Sequence, residues 1–162
     1  MESPLRYDAI CFDLFGTLVD DRGVAFDGVA TTLASLPRER WAIVTSCGRE
    51  LAYALVRRAA LPPPALLVSS DDVERTKPAG DPYALAVARL GAAPQRALAI
   101  EDSRDGLAAA RAAGLDALAI LRGRGVAFAR DAIFVAERFG DVRFYENDDG
   151  SISFEIEPLR GR

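Results

Sequence analysis

Asp13, Thr45 and the adjacent Glu101 and Asp102 each stand at the end of a short apolar run, at residues 9–12, 41–44 and 98–100. Polar residues placed this way can converge on one edge of a sheet and build a reaction site there. The chain has no histidine. That excludes Ser-His-Asp and Cys-His nucleophile systems and histidine-ligated zinc. Acid–base or metal chemistry must therefore rest on carboxylates, hydroxyls and amines. The twenty basic residues are 19 arginines and one lysine, Lys77. In a chain this biased towards arginine, a surviving lysine points to a place where a compact ammonium is needed, since the two side chains are not equivalent there.

The elements that must position these residues alternate. The apolar runs at 9–12, 41–44, 66–68, 98–100 and 117–121 have the length and composition of buried parallel strands. Between them lie helical segments rich in Ala and Leu, at about 28–36, 49–60, 81–90 and 103–113. Asp81 and Pro82 read as N-cap and first helical residue, and Ser103 as a further N-cap. Gly91 and Gly114 read as C-terminal stops. Strand and helix in alternation predict an α/β fold, Rossmann-like, with three α/β/α layers and a mainly parallel sheet. The carboxyl ends of its strands bring Asp13, Thr45, Glu101 and Asp102 to one edge. Residues 142–146 and 152–156 flank Asn147, Asp148, Asp149, Gly150 and Ser151 and predict a C-terminal β-hairpin. The acidic turn lacks the EF-hand loop pattern, so a solvated turn is expected rather than a calcium site.

Length and composition favour one domain over 1–162, with a core at about 7–140 and the hairpin at about 141–157. Half of the residues are hydrophobic, 27% are charged, and the net charge is −4. This acidic balance argues against nucleic acid or an anionic membrane as partner. No apolar run approaches a membrane span and the N-terminal residues lack a signal-peptide pattern, so a cytoplasmic protein is expected. Cys11 and Cys47 have no metal-site spacing and read as two reduced thiols.

Four pieces stand in order: Phe12-Asp13-Leu14-Phe15-Gly16-Thr17-Leu18, Ile43-Val44-Thr45-Ser46, Lys77-Pro78 leading to Asp81-Pro82-Tyr83, and Ile100-Glu101-Asp102-Ser103 with Gly106, Ala109, Ala110 and Gly114 following. Each is weak alone, but their order and spacing resemble the haloacid dehalogenase (HAD) superfamily of hydrolases over roughly residues 7–121. The resemblance implies a Mg²⁺-dependent phosphatase in which Asp13 is the nucleophile and passes through an aspartyl-phosphate. Thr45 and Lys77 would complete the catalytic set. Phe15, Gly16, Thr45, Ser46 and Lys77 would bind substrate. Asp13, the Phe15 carbonyl, Glu101 and Asp102 would hold the metal. The physical chemistry agrees: a carboxylate nucleophile splits one hard substitution into two steps, and Mg²⁺ takes one or two carboxylates plus phosphate and water.

Two departures from the family pattern bear on function. HAD phosphatases usually carry a second aspartate two residues after the nucleophile, where this chain has Phe15, which cannot transfer a proton. That favours a catalytically weak relative binding Mg²⁺ and a phosphorylated ligand or a protein partner as a second reading. A dehalogenase, which usually has an aromatic there, is a third. The adjacent acids Glu101 and Asp102 oppose dehalogenation, because they would repel a substrate anion without a cation between them. The other departure is size. Only 27 residues separate Thr17 from Thr45 and 31 separate Thr45 from Lys77. Neither interval holds a cap domain, so an open site is expected, with a phosphorylated and even macromolecular substrate, or cover from a neighbouring subunit of an oligomer.

Overall fold

The computed structural model describes residues 5–159. The ends of the expected domain, residues 1–4 and 160–162, lie outside the described residues. Six strands form a parallel sheet: β1 (Ala9–Phe12), β2 (Trp41–Val44), β3 (Leu67–Val68), β4 (Ala97–Glu101), β5 (Asp116–Ile120) and β6 (Phe134–Ala136), in the order β3-β2-β1-β4-β5-β6. Four helices connect or cover them: α1 (Val29–Ser35), α2 (Arg49–Arg58), α3 (Asp81–Arg89) and α4 (Arg104–Ala112). A separate antiparallel hairpin, β7 (Val142–Glu146) and β8 (Ile152–Ile156), follows. The three-layer α/β fold with a C-terminal hairpin is therefore as the sequence predicts.

The two faces of the sheet differ in side-chain size, and the alternation along each strand produces this. Ile10, Phe12, Trp41, Ile43, Leu98, Ile100, Leu118 and Ile120 belong to one apolar core with residues of α1, α2 and the hairpin. Ala9, Cys11, Ala42, Val44, Ala97, Ala99, Ala117 and Ala119 belong to the other, with residues of α3 and α4. Alanine on that face lets α3 and α4 lie close to the backbone of the central strands. The hairpin covers part of the bulky face, where Phe144 meets the Phe12 ring edge-on at 5.9 Å. Its strand β8 is also tied to the N-terminal segment by a pair of bonds between Tyr7 and Ile152, of 2.8 and 2.7 Å.

The strand order reverses between β1 and β4, which pair in parallel with Phe12 opposite Ile100. At such a switch point successive connections leave to opposite faces, and the carboxyl ends of the two strands border an open crevice. Asp13, Glu101 and Asp102 stand there. Between Thr17 and Thr45 the chain makes a tight bend, with Val19 bridged to Ala25, then α1 and a single short 3₁₀ turn; between β2 and β3 it forms α2.

Two details differ from the sequence reading. The N-cap of α3 is Gly80, not Asp81, whose carboxylate is engaged by Arg75 Nη2 at 3.0 Å. The strand β6 was not expected, because its three residues carry too little pattern to stand out. Ser103 does cap α4, accepting from the Gly106 amide at 3.0 Å. Gly91 and Gly114 take the positive φ of C-terminal stops, +70° and +83°. In the acidic turn, Asp149 accepts from the Ser151 amide at 3.0 Å and pairs with Arg6, as a solvated turn requires. Both cysteines are free, with Cys11 buried and Cys47 partly exposed. No helix among the described residues is long and apolar enough to cross a membrane.

Candidate active site

Asp13 directly follows β1, and its amide donates to the Ile100 carbonyl of β4 at 3.0 Å. This bond fastens the loop that begins at Asp13 to the strand that ends in Glu101. The loop then closes on itself, with the Leu14 carbonyl accepting from Leu18 and Val19 at 2.9 and 3.1 Å. Gly16 sits in this turn at φ +81°, and a Cβ there would fall 2.1 Å from Asp102 Oδ2. Only glycine satisfies both the backbone angle and the approach of the carboxylate.

Lys77 lies at the centre. Its ammonium donates to Asp13 Oδ1 at 2.8 Å, to Glu101 Oε1 at 2.6 Å and to the Val44 carbonyl at 2.8 Å. These three bonds use all three ammonium protons. An arginine fork could not point at three separate oxygens from a side chain only 5% exposed. Burial works against the charge, but the charges of Asp13 and Glu101 outweigh it and raise the Lys77 pKa.

Glu101 is wholly buried, and Tyr83 donates to its Oε1 at 2.5 Å. A Cβ on Gly106 would lie 2.0 Å from its Oε2, so the first turn of α4 leaves room for this carboxylate by having no side chain there. Asp102 faces Asp13 across Thr17, whose hydroxyl is 3.1 Å from Asp13 Oδ2 and 3.5 Å from Asp102 Oδ1. On its far side Asp102 Oδ2 accepts from Arg122 Nη2 at 2.8 Å. Burial, then the charge of Asp13, pushes the Glu101 pKa up to about 7 against the pull of Lys77. The same two causes push Asp102 up to about 6 against Arg122 and Arg124.

One oxygen from each of Asp13, Glu101 and Asp102 lies within 4.8 Å of the others. Three clustered, buried carboxylates call for a cation, and an all-oxygen donor set fits Mg²⁺. Asp13 and Asp102, with Oδ2 and Oδ1 both turned towards Thr17, are the better placed pair. Glu101 Oε1 is already shared by Lys77 and Tyr83, and its Oε2 lies 3.3 Å from the Asp102 amide.

The other expected residues are distributed around this cluster. Thr45 is buried just beyond Val44, the residue whose carbonyl Lys77 holds; its hydroxyl accepts from the Cys47 amide at 3.2 Å. No bond from Thr45 to Asp13 occurs among the described residues. Ser46 is exposed next to it, and the Phe15 side chain is 38% exposed on the loop that carries Asp13. Three participants escaped the sequence reading. Thr17 and Tyr83 were inside the quoted motifs but had no assigned chemistry. Arg122 lay outside them, and its one signal was a place just beyond the fifth strand.

Lys77→Met should be strongly destabilising. Methionine fills similar volume but leaves the buried carboxylates of Asp13 and Glu101 without their shared partner, and breaking a buried pair from one side costs about 3–5 kcal/mol. Urea unfolding at pH 7.5 measures this. The deficit should shrink as the pH falls, because Glu101, freed from the pull of Lys77, takes up a proton above the value of about 7 that it has in the wild type, and the unpaired charge disappears.

The family profile of the haloacid dehalogenase-like hydrolases matches residues 20–114. The chain belongs to this family. Among HAD relatives, hexitol phosphatase A of Escherichia coli is 40% identical over 80 residues, which are 49% of this chain and 37% of that protein. Glycerol-1-phosphate phosphohydrolase 2 of Saccharomyces cerevisiae is 27% identical over 121 residues, covering 70% of this chain and 46% of that protein. The chain thus spans less than half the length of either relative. A HAD family hydrolase from Deinococcus radiodurans, solved with phosphate and sodium bound, superimposes with a TM-score of 0.74 at 22% identity, covering 81% of this chain and 91% of that one. At that identity the likeness is one of fold. CbbY from Rhodobacter sphaeroides, in complex with xylulose-(1,5)bisphosphate, gives a TM-score of 0.59 at 29% identity, covering 73% of this chain and 56% of that one.

Proposed function

We propose that this HAD-like chain is a Mg²⁺-dependent phosphohydrolase in which Asp13 attacks the phosphorus of a phosphate monoester. The observation that carries this reading is the placement of the Asp13 carboxylate at the switch point. Lys77 holds one of its oxygens at 2.8 Å and Thr17 the other at 3.1 Å, with the acidic pair at the end of β4, Glu101 and Asp102, beside it. Relatives named hexitol phosphatase and glycerol-1-phosphate phosphohydrolase point to the same class of substrate.

The first step forms a bond from an Asp13 oxygen to phosphorus and breaks the bond from phosphorus to the leaving oxygen. The leaving alkoxide or phenoxide takes its proton from solvent, since Phe15 has none to give. Water then attacks the aspartyl-phosphate, releasing inorganic phosphate and restoring the Asp13 carboxylate. Throughout, Lys77 offers positive charge beside the transferring group, and the Thr45 hydroxyl with amides near Ser46 orients the phosphoryl oxygens. Glu101 and Tyr83 fix the Lys77 ammonium in place. Asp13 and Asp102, with the Phe15 carbonyl and Glu101 as further donors, would hold Mg²⁺, which supplies charge neutralisation for the phosphoryl oxygens when bound.

The short intervals after β1 and β2 support an open, capless site that admits large phosphorylated substrates or is covered by another subunit. The exposed Phe15 supports a second reading, that of a slow or inactive relative that binds Mg²⁺ and a phosphorylated ligand or a protein partner.

An aryl phosphate assay with Mg²⁺ and with excess EDTA tests the first reading. Hydrolysis should be present with Mg²⁺ and lost with EDTA, then return on adding Mg²⁺ back. Activity indifferent to EDTA, or halide release from 2-haloacids, would sink it.

A further inference from the structure

We propose that Arg122 is a built-in counter-cation of the acidic site, and that it makes divalent metal binding conditional on a phosphoryl anion. This rests on the metal-dependent reading above and adds an order of assembly to it.

Arg122 and Arg124 follow β5 in the run Arg122-Gly123-Arg124-Gly125. The Arg122 backbone takes φ +47°, in the left-handed region that side chains seldom adopt. Its amide donates to the Glu137 carbonyl at 2.8 Å, and its guanidinium lies 5.1 Å from the Phe26 ring centroid. From there Nη2 reaches Asp102 Oδ2 at 2.8 Å. Arg124 Nη2 lies 3.9 Å from the same oxygen and donates to the Ile120 carbonyl at 3.2 Å, while its Nε donates to the Leu121 carbonyl at 3.0 Å. Arg122 is thus anchored by its backbone and the Phe26 ring, and Arg124 by the carbonyls at the end of β5.

The charges then count out. When ionised, Asp13, Glu101 and Asp102 carry three negative charges. Lys77 and Arg122, in direct contact, supply two positive ones, and Arg124 adds a third at 3.9 Å. The site is therefore close to neutral with no added ion. A divalent cation bound there alone would bring two further positive charges beside three existing ones. A phosphoryl dianion alone would meet the carboxylates. Bound together, the two additions cancel, so each favours the other, and the coupling is reciprocal. Arg122 takes Oδ2 and leaves Asp102 Oδ1, the oxygen that faces Thr17 and Asp13, to a metal. It is a positioning and charge-setting residue and not a plug.

The test is a Mn²⁺ titration, read by paramagnetic resonance of free Mn²⁺, on wild type, Arg122→Gln and Arg122→Lys, without and with saturating inorganic phosphate. Wild type should bind Mn²⁺ about 10-fold more tightly with phosphate than without, within the roughly 5–150-fold range of coupled sites. Arg122→Gln should bind Mn²⁺ alone about 10-fold more tightly than wild type does, and phosphate should then help less. Arg122→Lys keeps the charge and should retain most of the coupling. Circular dichroism melts establish that the variants are folded, and Arg124→Gln, expected to shift Mn²⁺ affinity in the same direction by less, serves if Arg122→Gln is not. Equal or weaker Mn²⁺ binding by a folded Arg122→Gln would overturn the counter-cation proposal while leaving the metal site intact. Loss of coupling in Arg122→Lys would overturn the charge argument in favour of fork geometry. No Mn²⁺ binding by any of these proteins would overturn both this proposal and the metal-dependent reading.

Discussion

Asp13→Asn should abolish aryl phosphate hydrolysis, lowering kcat on the order of 10⁴-fold or more, the scale on which removal of a catalytic nucleophile acts. The substitution is nearly isosteric. It keeps one side-chain oxygen to accept from Lys77 or Thr17, so the loop fastened to Ile100 has no reason to move. What it removes is the second anionic oxygen and the nucleophilicity. It breaks one of the two ion pairs of Lys77, which keeps Glu101, while relieving the charge of Asp13 on Glu101 and Asp102, so the fold should persist, and the thermal melt separates the fall in rate from any loss of folded protein. Stopped assays with a sensitive aryl phosphate, beside a thermal melt, give both numbers. Wild-type rates in a folded Asp13→Asn protein would mean that another group attacks phosphorus.

Much of this arrangement could be read from residue order because parallel α/β folds tie sequence position to space so directly. A residue that ends a strand lies on the carboxyl edge, and residue order alone gathers Asp13, Glu101 and Asp102 there. The hairpin was legible for the same reason, since alternation in 142–146 and 152–156 is a local signal. Lys77 was legible through composition and through its place in the motif Lys77-Pro78. Other features depend on packing between distant elements and leave no local trace. That Glu101 serves as an acceptor for Lys77 and Tyr83 requires knowing that α3 and α4 lie against an alanine face, with Gly106 leaving space for the carboxylate. That Arg122 reaches Asp102 requires the backbone turn after β5, at a φ no propensity would assign to arginine. The short β6 failed for a simpler reason: three residues are too few for a period to show.

Phe15→Asp should raise hydrolysis of alkyl phosphates by about 10²–10⁴-fold, the usual contribution of general acid–base catalysis, while changing aryl phosphate turnover much less. Phe15 follows Asp13 by two residues, on the same self-bonded loop, and is 38% exposed. The ring is more buried than exposed, so the substitution should cost some stability, and a thermal melt run beside the assay establishes that the variant is folded. Leaving-group chemistry separates the two substrates. A phenoxide departs without help, whereas an alkoxide needs a proton during bond breaking. To supply that proton near neutral pH, the new carboxylate must hold it above the ordinary carboxylate range. Negative charge close by pushes in that direction, as the charge of Asp13 already does on Asp102. The gain should therefore be largest at mildly acidic pH and fall as pH rises and the new group ionises. A plot of log kcat against leaving-group pKa should be steep in wild type and flatter in the variant. If the slope is unchanged and alkyl phosphates stay silent, the missing proton donor is not what limits this site, and its slowness must then lie in how it holds the phosphoryl group.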